Sequence, residues 1–243
     1  MAGQVVSTCP RCFSSGSEEP QNSHTQMVPV PLPSPWMPTA HDDPSNSAAT
    51  RLLVARHGQS EWNAIGRWQG RADVPLSDEG MRQAADAGLR LGTFDSVWSS
   101  DLQRASLTAN IIAEIIGIGP VLLDVRLRET DVGPWQGLTH DEVEAGWPGF
   151  LAEHRRPDGF EDYDVAAARM VAAFVDIAAA FPGGEVLVVS HGGAIRSVRR
   201  LLGAPDARMP NLGATWFHVH RGNVTAGDLV NLAGADTPTG IAL

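Results

Sequence analysis

From Arg51 onward, short apolar runs alternate with segments whose apolar residues recur at helical spacing. The runs "RLLVA" and "EVLVVS" predict buried strands, because both are short, continuous and apolar. Ser77 is suited to cap a helix over 78–92, and Gly117 to end another over "DLQRASLTANIIAEIIG". The pattern predicts further strands over "FDSVWSS" and "VLLDVRL", edge strands over "TWFHVH" and "TAGDLVNLA", and helices over 162–181 and "GGAIRSVRRLLG".

Strands that alternate with helices predict an α/β fold. We expect a three-layer sandwich with a mostly parallel central sheet and helices on both faces. In sheets of this kind, ligand sites gather at the carboxyl ends of the strands. The search for chemistry therefore concentrates on residues that directly follow a predicted strand.

The first fifty residues have a different composition. They hold eight of the 17 prolines and show no sustained apolar period, so we predict a disordered tail over 1–50 and one domain over 51–243. Cys9 and Cys12 lie in this tail and are the only cysteines. A zinc ribbon needs a second pair, so a solvated pair is the better interpretation.

The charge balance narrows the possible partners. The formal net charge is -10, from 28 acidic and 18 basic residues, and every basic residue is arginine. This balance argues against nucleic acid or an anionic membrane as a partner. Without a long apolar run or a secretory-type N-terminus, we expect a cytoplasmic protein. A local arginine cluster is still suited to a small anion such as phosphate.

Two predicted strands end on the same motif, a histidine followed by glycine. "LLVARHG" carries His57, and "VLVVSHGG" carries His191. In a parallel sheet both imidazoles emerge at one edge, and glycine lets the backbone approach a ligand closely. Arg56 precedes the first histidine, and Arg104 lies near a predicted helix start, where amide groups also favour anions. Either histidine alone fits an ordinary strand end, but the set indicates an anion site.

The segments "RHGQSEWN", "RWQGRADVPLSDEG", "SSDLQRASLTA", "RLRETDVGPWQGLT" and "VVSHGG" follow one another over about residues 51–220. Together they resemble the phosphoglycerate mutase-like branch of the histidine phosphatase superfamily, and within it the actinobacterial phosphatases. The resemblance implies a small phosphate ester as substrate and neither metal nor other cofactor. It assigns the nucleophile to His57 and the general acid to Glu129, with Asp131 as an alternative acid. The phosphate-binding residues that it implies, besides His57, are Arg56, Asn63, Gln69, Gly70, Arg104, His191 and Gly192.

These residues make a metal-independent phosphomonoesterase with a phosphohistidine intermediate the leading hypothesis. A mutase-type phosphotransferase is the first alternative. Mutases of the family use lysine, which this chain lacks, and a longer insertion than the 61 residues between Glu129 and His191. A protein that binds phosphorylated ligands without turnover is the second alternative. The oligomeric state stays open, a homodimer included.

Two further pairs have weaker interpretations. His218 and His220 point to one face of a predicted strand, but two ligands seldom suffice for a metal, so a structural or solvated pair is expected. Residues 146–164 are predicted to cover the site. Within them, Arg155 and Arg156 either contact a second anionic group or form a solvated pair.

Overall fold

A computed structural model describes residues 48–233, whose six strands form one mixed sheet with the order β3-β2-β4-β1-β5-β6. The first four strands of this order run parallel, whereas β5 is antiparallel to both of its neighbours, β1 and β6. Residues 1–47, with most of the predicted tail and both cysteines, lie outside the described part of the chain. The strands are β1 Thr50–Arg56, β2 Ser96–Ser99, β3 Leu122–Leu123, β4 Glu185–Ser190, β5 Gly213–His220 and β6 Asn223–Asn231.

The predicted helices are present, with caps where the sequence places them. The Ser77 hydroxyl accepts a hydrogen bond from the Gly80 amide at 3.1 Å, and Gly117 ends its helix at a φ of 73°. The helix after Ser77 ends at Gly88, before the predicted residue 92. Within the described residues, no helix is long and apolar enough to cross a membrane. The helices are α1 Glu61–Ala64, α2 Asp78–Gly88, α3 Gln103–Ile116, α4 His140–Gly146, α5 Tyr163–Ala180 and α6 Gly192–Leu201.

The three layers follow from the alternation of side chains along the central strands. Leu52 and Val54 of β1 pack in one buried cluster with residues of α5 and α6. Leu53 and Ala55 point the other way and join a second cluster with residues of α2 and α3. Both faces of the sheet are therefore covered, which explains the continuous apolar runs of β1 and β4 and confirms the predicted sandwich.

Two predicted strands differ from expectation. "VLLDVRL" forms a strand only over Leu122–Leu123, because the Asp124 carboxylate accepts a hydrogen bond from the Arg126 amide at 2.8 Å and begins a 3-10 turn. The predicted edge strand β5 is internal, since it pairs with β1 on one side and β6 on the other.

The pairing of β1 with β4 positions the site. Arg56 lies beside Ser190 in the parallel register, and the His57 amide donates to the Ser190 carbonyl at 3.0 Å. The two histidines that directly follow these strands consequently meet at the same sheet edge, as the sequence predicted.

Candidate active site

A cavity of about 260 Å³ opens at the carboxyl ends of β1 and β4. This volume is slightly below the roughly 300 to 1,000 Å³ that is usual for small-molecule sites. Most of the predicted site residues line it; the exception is His191, which is fully buried and outside the lining. The predicted residues that line the cavity are Arg56, His57, Asn63, Gln69, Gly70, Arg104, Glu129 and Gly192.

A hydrogen bond to the backbone fixes the tautomer of the His57 imidazole. Its Nδ1 lies 2.6 Å from the Gly58 carbonyl, which only accepts, so Nδ1 carries the proton. Its Nε2 accepts a hydrogen bond from the Arg104 Nε at 3.3 Å. Burial, and then the charges of Arg104 and Arg56, lower the pKa of His57 well below its ordinary 6.5. Nε2 is thus unprotonated at neutral pH, and within the part of the chain that the structure describes its lone pair accepts only the hydrogen bond from Arg104.

Two buried guanidinium groups lie beside this imidazole. Arg104 donates to the Gly70 carbonyl at 2.8 Å and to the Ala72 carbonyl at 2.7 Å, which fixes its plane. Arg56 donates to the Met209 carbonyl at 2.7 Å, while its buried Nε has no partner within residues 48–233. Burial lowers the pKa of each guanidinium to about 10, so both stay charged at neutral pH.

The second histidine packs directly against the first. The ring centroids of His57 and His191 are 5.1 Å apart, with an edge-to-face angle of 61°. Burial, followed by the charges of Arg104 and His57, lowers the pKa of His191 well below 6.5. Neither ring nitrogen of His191 has a hydrogen-bond partner among the described residues. Buried polar atoms of this kind are costly unless a ligand satisfies them.

Glu129 lies at the N-terminus of α6. Its Oε1 accepts hydrogen bonds from the Ala194 and Thr130 amides at 2.8 Å, and its Oε2 accepts one from the Gly193 amide at 3.0 Å. A Cβ at position 193 would lie 2.7 Å from Oε1, so any larger residue there would push the carboxylate out of this position. Asp131, the alternative acid, accepts instead from the Gly133 amide and is outside the cavity lining. The geometry therefore favours Glu129 over Asp131.

The remaining predicted residues shape the wall. Asn63 belongs to the short helix α1, and its Oδ1 accepts hydrogen bonds from the Ser60 backbone amide at 3.2 Å and from the Asn211 side-chain amide at 3.3 Å. Gln69 accepts from the Ser60 hydroxyl at 2.8 Å. Gly70 has a φ of 51°, a conformation that favours glycine, and this turn aims its carbonyl at Arg104.

Arg155 and Arg156, predicted either to contact a second anionic group or to be solvated, lie in different surroundings. Arg155 is exposed and pairs with Glu153. Arg156 lines the cavity and donates from Nε to the Tyr163 hydroxyl at 2.9 Å. His154 and Phe160 also line the cavity, so residues 146–164, which were predicted to cover the site, contribute to its wall.

Sequence reasoning did not single out several other charged residues of the wall. Arg196 and Arg200 are four apart in "GGAIRSVRRLLG", which places them on one helix face, and this spacing was the available signal. The other charged residues of the wall lie in loops, where no helical spacing could have pointed to them; they are Arg67, Arg208 and Asp206.

A further residue that sequence reasoning missed is bonded to the segment that carries Glu129. Arg169 on α5 donates to the carbonyls of Arg126, Arg128 and Glu129 at 2.7, 2.6 and 3.1 Å. Its Nε and Nη2 also bind the two carboxylate oxygens of Glu161 at 2.9 Å. Arg169 is thus bonded to three carbonyls of the segment that ends at the predicted acid.

In the described part of the chain, no group of three or more His, Cys, Asp or Glu side chains is placed so that it could bind a metal ion. His218 and His220 share a face of β5, the first partly buried and the second exposed.

Comparisons with known proteins agree with this geometry. Residues 52–230 match the family model of the histidine phosphatase superfamily (branch 1). A glucosyl-3-phosphoglycerate phosphatase from Mycolicibacterium vanbaalenii is 40% identical over 188 residues, which are 70% of this chain and 83% of the relative. A metal-independent phosphoserine phosphatase from Arabidopsis thaliana is 36% identical over 162 residues, 63% of this chain and 68% of the relative.

A solved structure provides a similar match. The mycobacterial glucosyl-3-phosphoglycerate phosphatase in complex with VO3 superposes with a TM-score of 0.66 at 33% identity, covering 74% of this chain and 96% of that one.

Proposed function

Because the chain belongs to the histidine phosphatase superfamily, we propose that this phosphatase hydrolyses small phosphate monoesters through a phosphohistidine formed on His57. One observation carries the proposal: His57 lines the cavity beside the buried cations Arg56 and Arg104, and the bond from its Nδ1 to the Gly58 carbonyl leaves the proton off Nε2. A neutral imidazole next to two fixed positive charges is suited to attack an anionic phosphoryl group.

In the first step, the Nε2 lone pair of His57 attacks phosphorus, and the bond from phosphorus to the ester oxygen breaks. The Glu129 carboxyl group, in its protonated form, gives its proton to the departing oxygen. Arg56, Arg104 and the single N–H of neutral His191 stabilise the negative charge on the other three phosphoryl oxygens. The alcohol then leaves.

In the second step, the Glu129 carboxylate takes a proton from water, whose oxygen attacks phosphorus. The bond between phosphorus and Nε2 breaks, so that inorganic phosphate is released and neutral His57 is restored. Arginine and histidine supply the charge stabilisation throughout, so we expect turnover without a metal. The substrates named for the relatives, glucosyl-3-phosphoglycerate and phosphoserine, are the first candidates to assay.

The test combines turnover with detection of the intermediate. p-Nitrophenyl phosphate is mixed with enzyme, with and without EDTA, the reaction is quenched in alkali, and the modified peptide is mapped by mass spectrometry. We expect EDTA to have no effect and phosphate to appear on the His57 peptide. His57→Ala should abolish both signals, whereas the matched control His220→Ala, an exposed histidine on β5, should retain them.

Other outcomes would redirect the assignment. Label on the His191 peptide would exchange the roles of the two histidines, and dependence on added magnesium or zinc would contradict the charge argument. Transfer of phosphate to an added alcohol in preference to water would favour the mutase alternative. Binding of phosphate esters with no turnover would favour a binding protein.

A further inference from the structure

One carboxylate lies between the two parts of the site that the proposed mechanism uses. Glu161 is outside the cavity lining, and its side chain is only 10% exposed. Its Oε1 accepts hydrogen bonds from Arg71 Nη2 at 3.0 Å and from Arg169 Nε at 2.9 Å. Its Oε2 accepts from Arg169 Nη2 at 2.9 Å and from the Asp131 amide at 3.0 Å. Three separate segments of the chain therefore meet at this carboxylate.

Glu161 is ionised at neutral pH, although burial by itself would raise its pKa. Hydrogen bonds from Arg169 and from the Asp131 amide outweigh burial and lower the pKa. Hydrogen bonds between charged groups are roughly twice as strong as those between neutral groups. Without the charge of Glu161, the carboxylate of residues 48–233 left near Arg71 would be that of Asp131, whose Oδ2 lies 3.9 Å from Arg71 Nη1.

Arg71 links Glu161 to the loop that fixes Arg104. The carbonyls of Gly70 and Ala72, one residue to either side of Arg71, accept the hydrogen bonds that hold the Arg104 guanidinium. Arg71 is itself outside the cavity lining, so any effect that it has on a bound phosphoryl group is indirect. A displacement of the Arg71 backbone would move both carbonyls and turn the plane of Arg104.

Arg169 and Asp131 link Glu161 to the backbone around Glu129. Arg169 donates to the carbonyls of Arg128 and Glu129 at 2.6 and 3.1 Å. On the other side, the Glu161 amide donates to the Asp131 carbonyl at 2.8 Å, and the Asp131 amide donates to the Glu161 carboxylate. The backbone is thus held both before and after the predicted acid.

We propose that Glu161 is a positioning residue that fixes Arg104 and Glu129 relative to each other. It acts through the segments to which it is bonded and does not touch the substrate. The inference rests on the proposed phosphatase function, in which Arg104 stabilises the phosphoryl oxygens while Glu129 protonates the ester oxygen. Both groups have to be aligned with one bound molecule, and a misplacement of about 1 Å caused by a distant change can cost about 100-fold in rate.

The test uses two measurements that do not depend on how much of the enzyme is folded. The first is the Ki for orthovanadate, which takes the five-coordinate geometry of the phosphoryl transition state and reports on Arg104. The second is the ratio of kcat/KM for glycerol 3-phosphate to that for p-nitrophenyl phosphate, which reports on proton transfer from Glu129. A purely structural role for Glu161 would lower the folded fraction and leave both values unchanged.

Glu161→Gln keeps the shape of the side chain but removes its charge and one acceptor oxygen. We expect this variant to raise the vanadate Ki about tenfold and to lower the alkyl-to-aryl ratio about tenfold. Arg71→Gln should raise mainly the Ki, and Arg169→Met should lower mainly the ratio. The double variant Arg71→Gln/Glu161→Gln should have the same Ki as Glu161→Gln, because the two residues act as one unit.

Glu153→Gln is the matched control. Glu153 lies in the same 146–164 segment and pairs with Arg155, but its side chain is 61% exposed and outside the cavity lining. It should leave both measurements at their wild-type values. If thermal unfolding shows that Glu161→Gln does not fold, Arg71→Gln carries the test, because the Arg71 side chain is 38% exposed.

The outcomes separate the inference from the proposed function. A Glu161→Gln enzyme in which neither measurement changes, or only one of them, would overturn the positioning role, as would an unchanged vanadate Ki in Arg71→Gln. In each of these cases, turnover of p-nitrophenyl phosphate by the wild-type enzyme would still support the phosphatase function. Absence of that turnover would overturn the proposed function, and this inference with it.

Discussion

Glu129→Gln tests whether this carboxyl group protonates the leaving oxygen. A general acid contributes about 10²- to 10⁴-fold when the leaving group is a basic alkoxide. The p-nitrophenolate ion leaves without a proton, so its ester gains little from the acid. We therefore expect kcat/KM for glycerol 3-phosphate to fall by at least about 100-fold more than kcat/KM for p-nitrophenyl phosphate.

The structure also predicts a stability cost that the assay has to separate from catalysis. Glu129 uses both oxygens, with two amide donors on Oε1 and the Gly193 amide on Oε2. The glutamine side chain has only one oxygen, so its NH₂ group would face at least one of these backbone N–H donors. Losing a hydrogen bond to a charged group costs roughly 1.5 to 3 kcal/mol. We expect the free energy of unfolding to fall by about that amount.

The assay therefore uses a ratio within one variant. Taking the quotient of the two kcat/KM values cancels any loss of folded enzyme, because both substrates see the same active fraction. Asp131→Asn is the matched control, since Asp131 lies near Glu129 in sequence but outside the cavity lining. Equal losses on the two esters for Glu129→Gln would refute the reasoning, as would a leaving-group dependence that appears in Asp131→Asn instead.

Three further predictions concern Arg104, the two buried histidines and Arg169. Arg104→Lys keeps the charge but loses the planar fork, so kcat/KM should fall by about 10²- to 10³-fold; activity within about twofold of wild type in the same assay would contradict a bidentate role. Because His57 and His191 have lowered pKa values in the folded state, the unfolded chain binds more protons below pH 6.5. Stability in denaturant titrations should then decrease on acidification by up to about 1.4 kcal/mol per pH unit for each histidine, and a flat profile would show that they are not buried neutral. Arg169→Met frees the carbonyls near Glu129, so the alkyl-to-aryl kcat/KM ratio should shift as in Glu129→Gln but less; an unchanged ratio with lower stability would make Arg169 purely structural.

Local patterns in the sequence were enough to predict the layers and the meeting of the two histidine motifs. The apolar runs of β1 and β4 indicate strands covered on both faces, and parallel strands share one carboxyl edge. His57, Arg56 and Arg104 were therefore identified from neighbouring residues alone. The caps at Ser77 and Gly117 are likewise local, since each satisfies backbone groups within one turn of its own helix.

Other features depend on groups that are distant in the chain, and only the tertiary structure decides them. β5 becomes internal because β6 folds back and pairs with its free side. Glu129 is favoured over Asp131 because the start of α6, more than sixty residues away, offers amide donors to it alone. The lowered pKa of His57 comes from burial and from the charge of Arg104, which a separate helix delivers. Arg156, Arg196 and Arg200 line one cavity because α6 and the segment around Arg156 converge there, and no spacing in the sequence encodes that convergence.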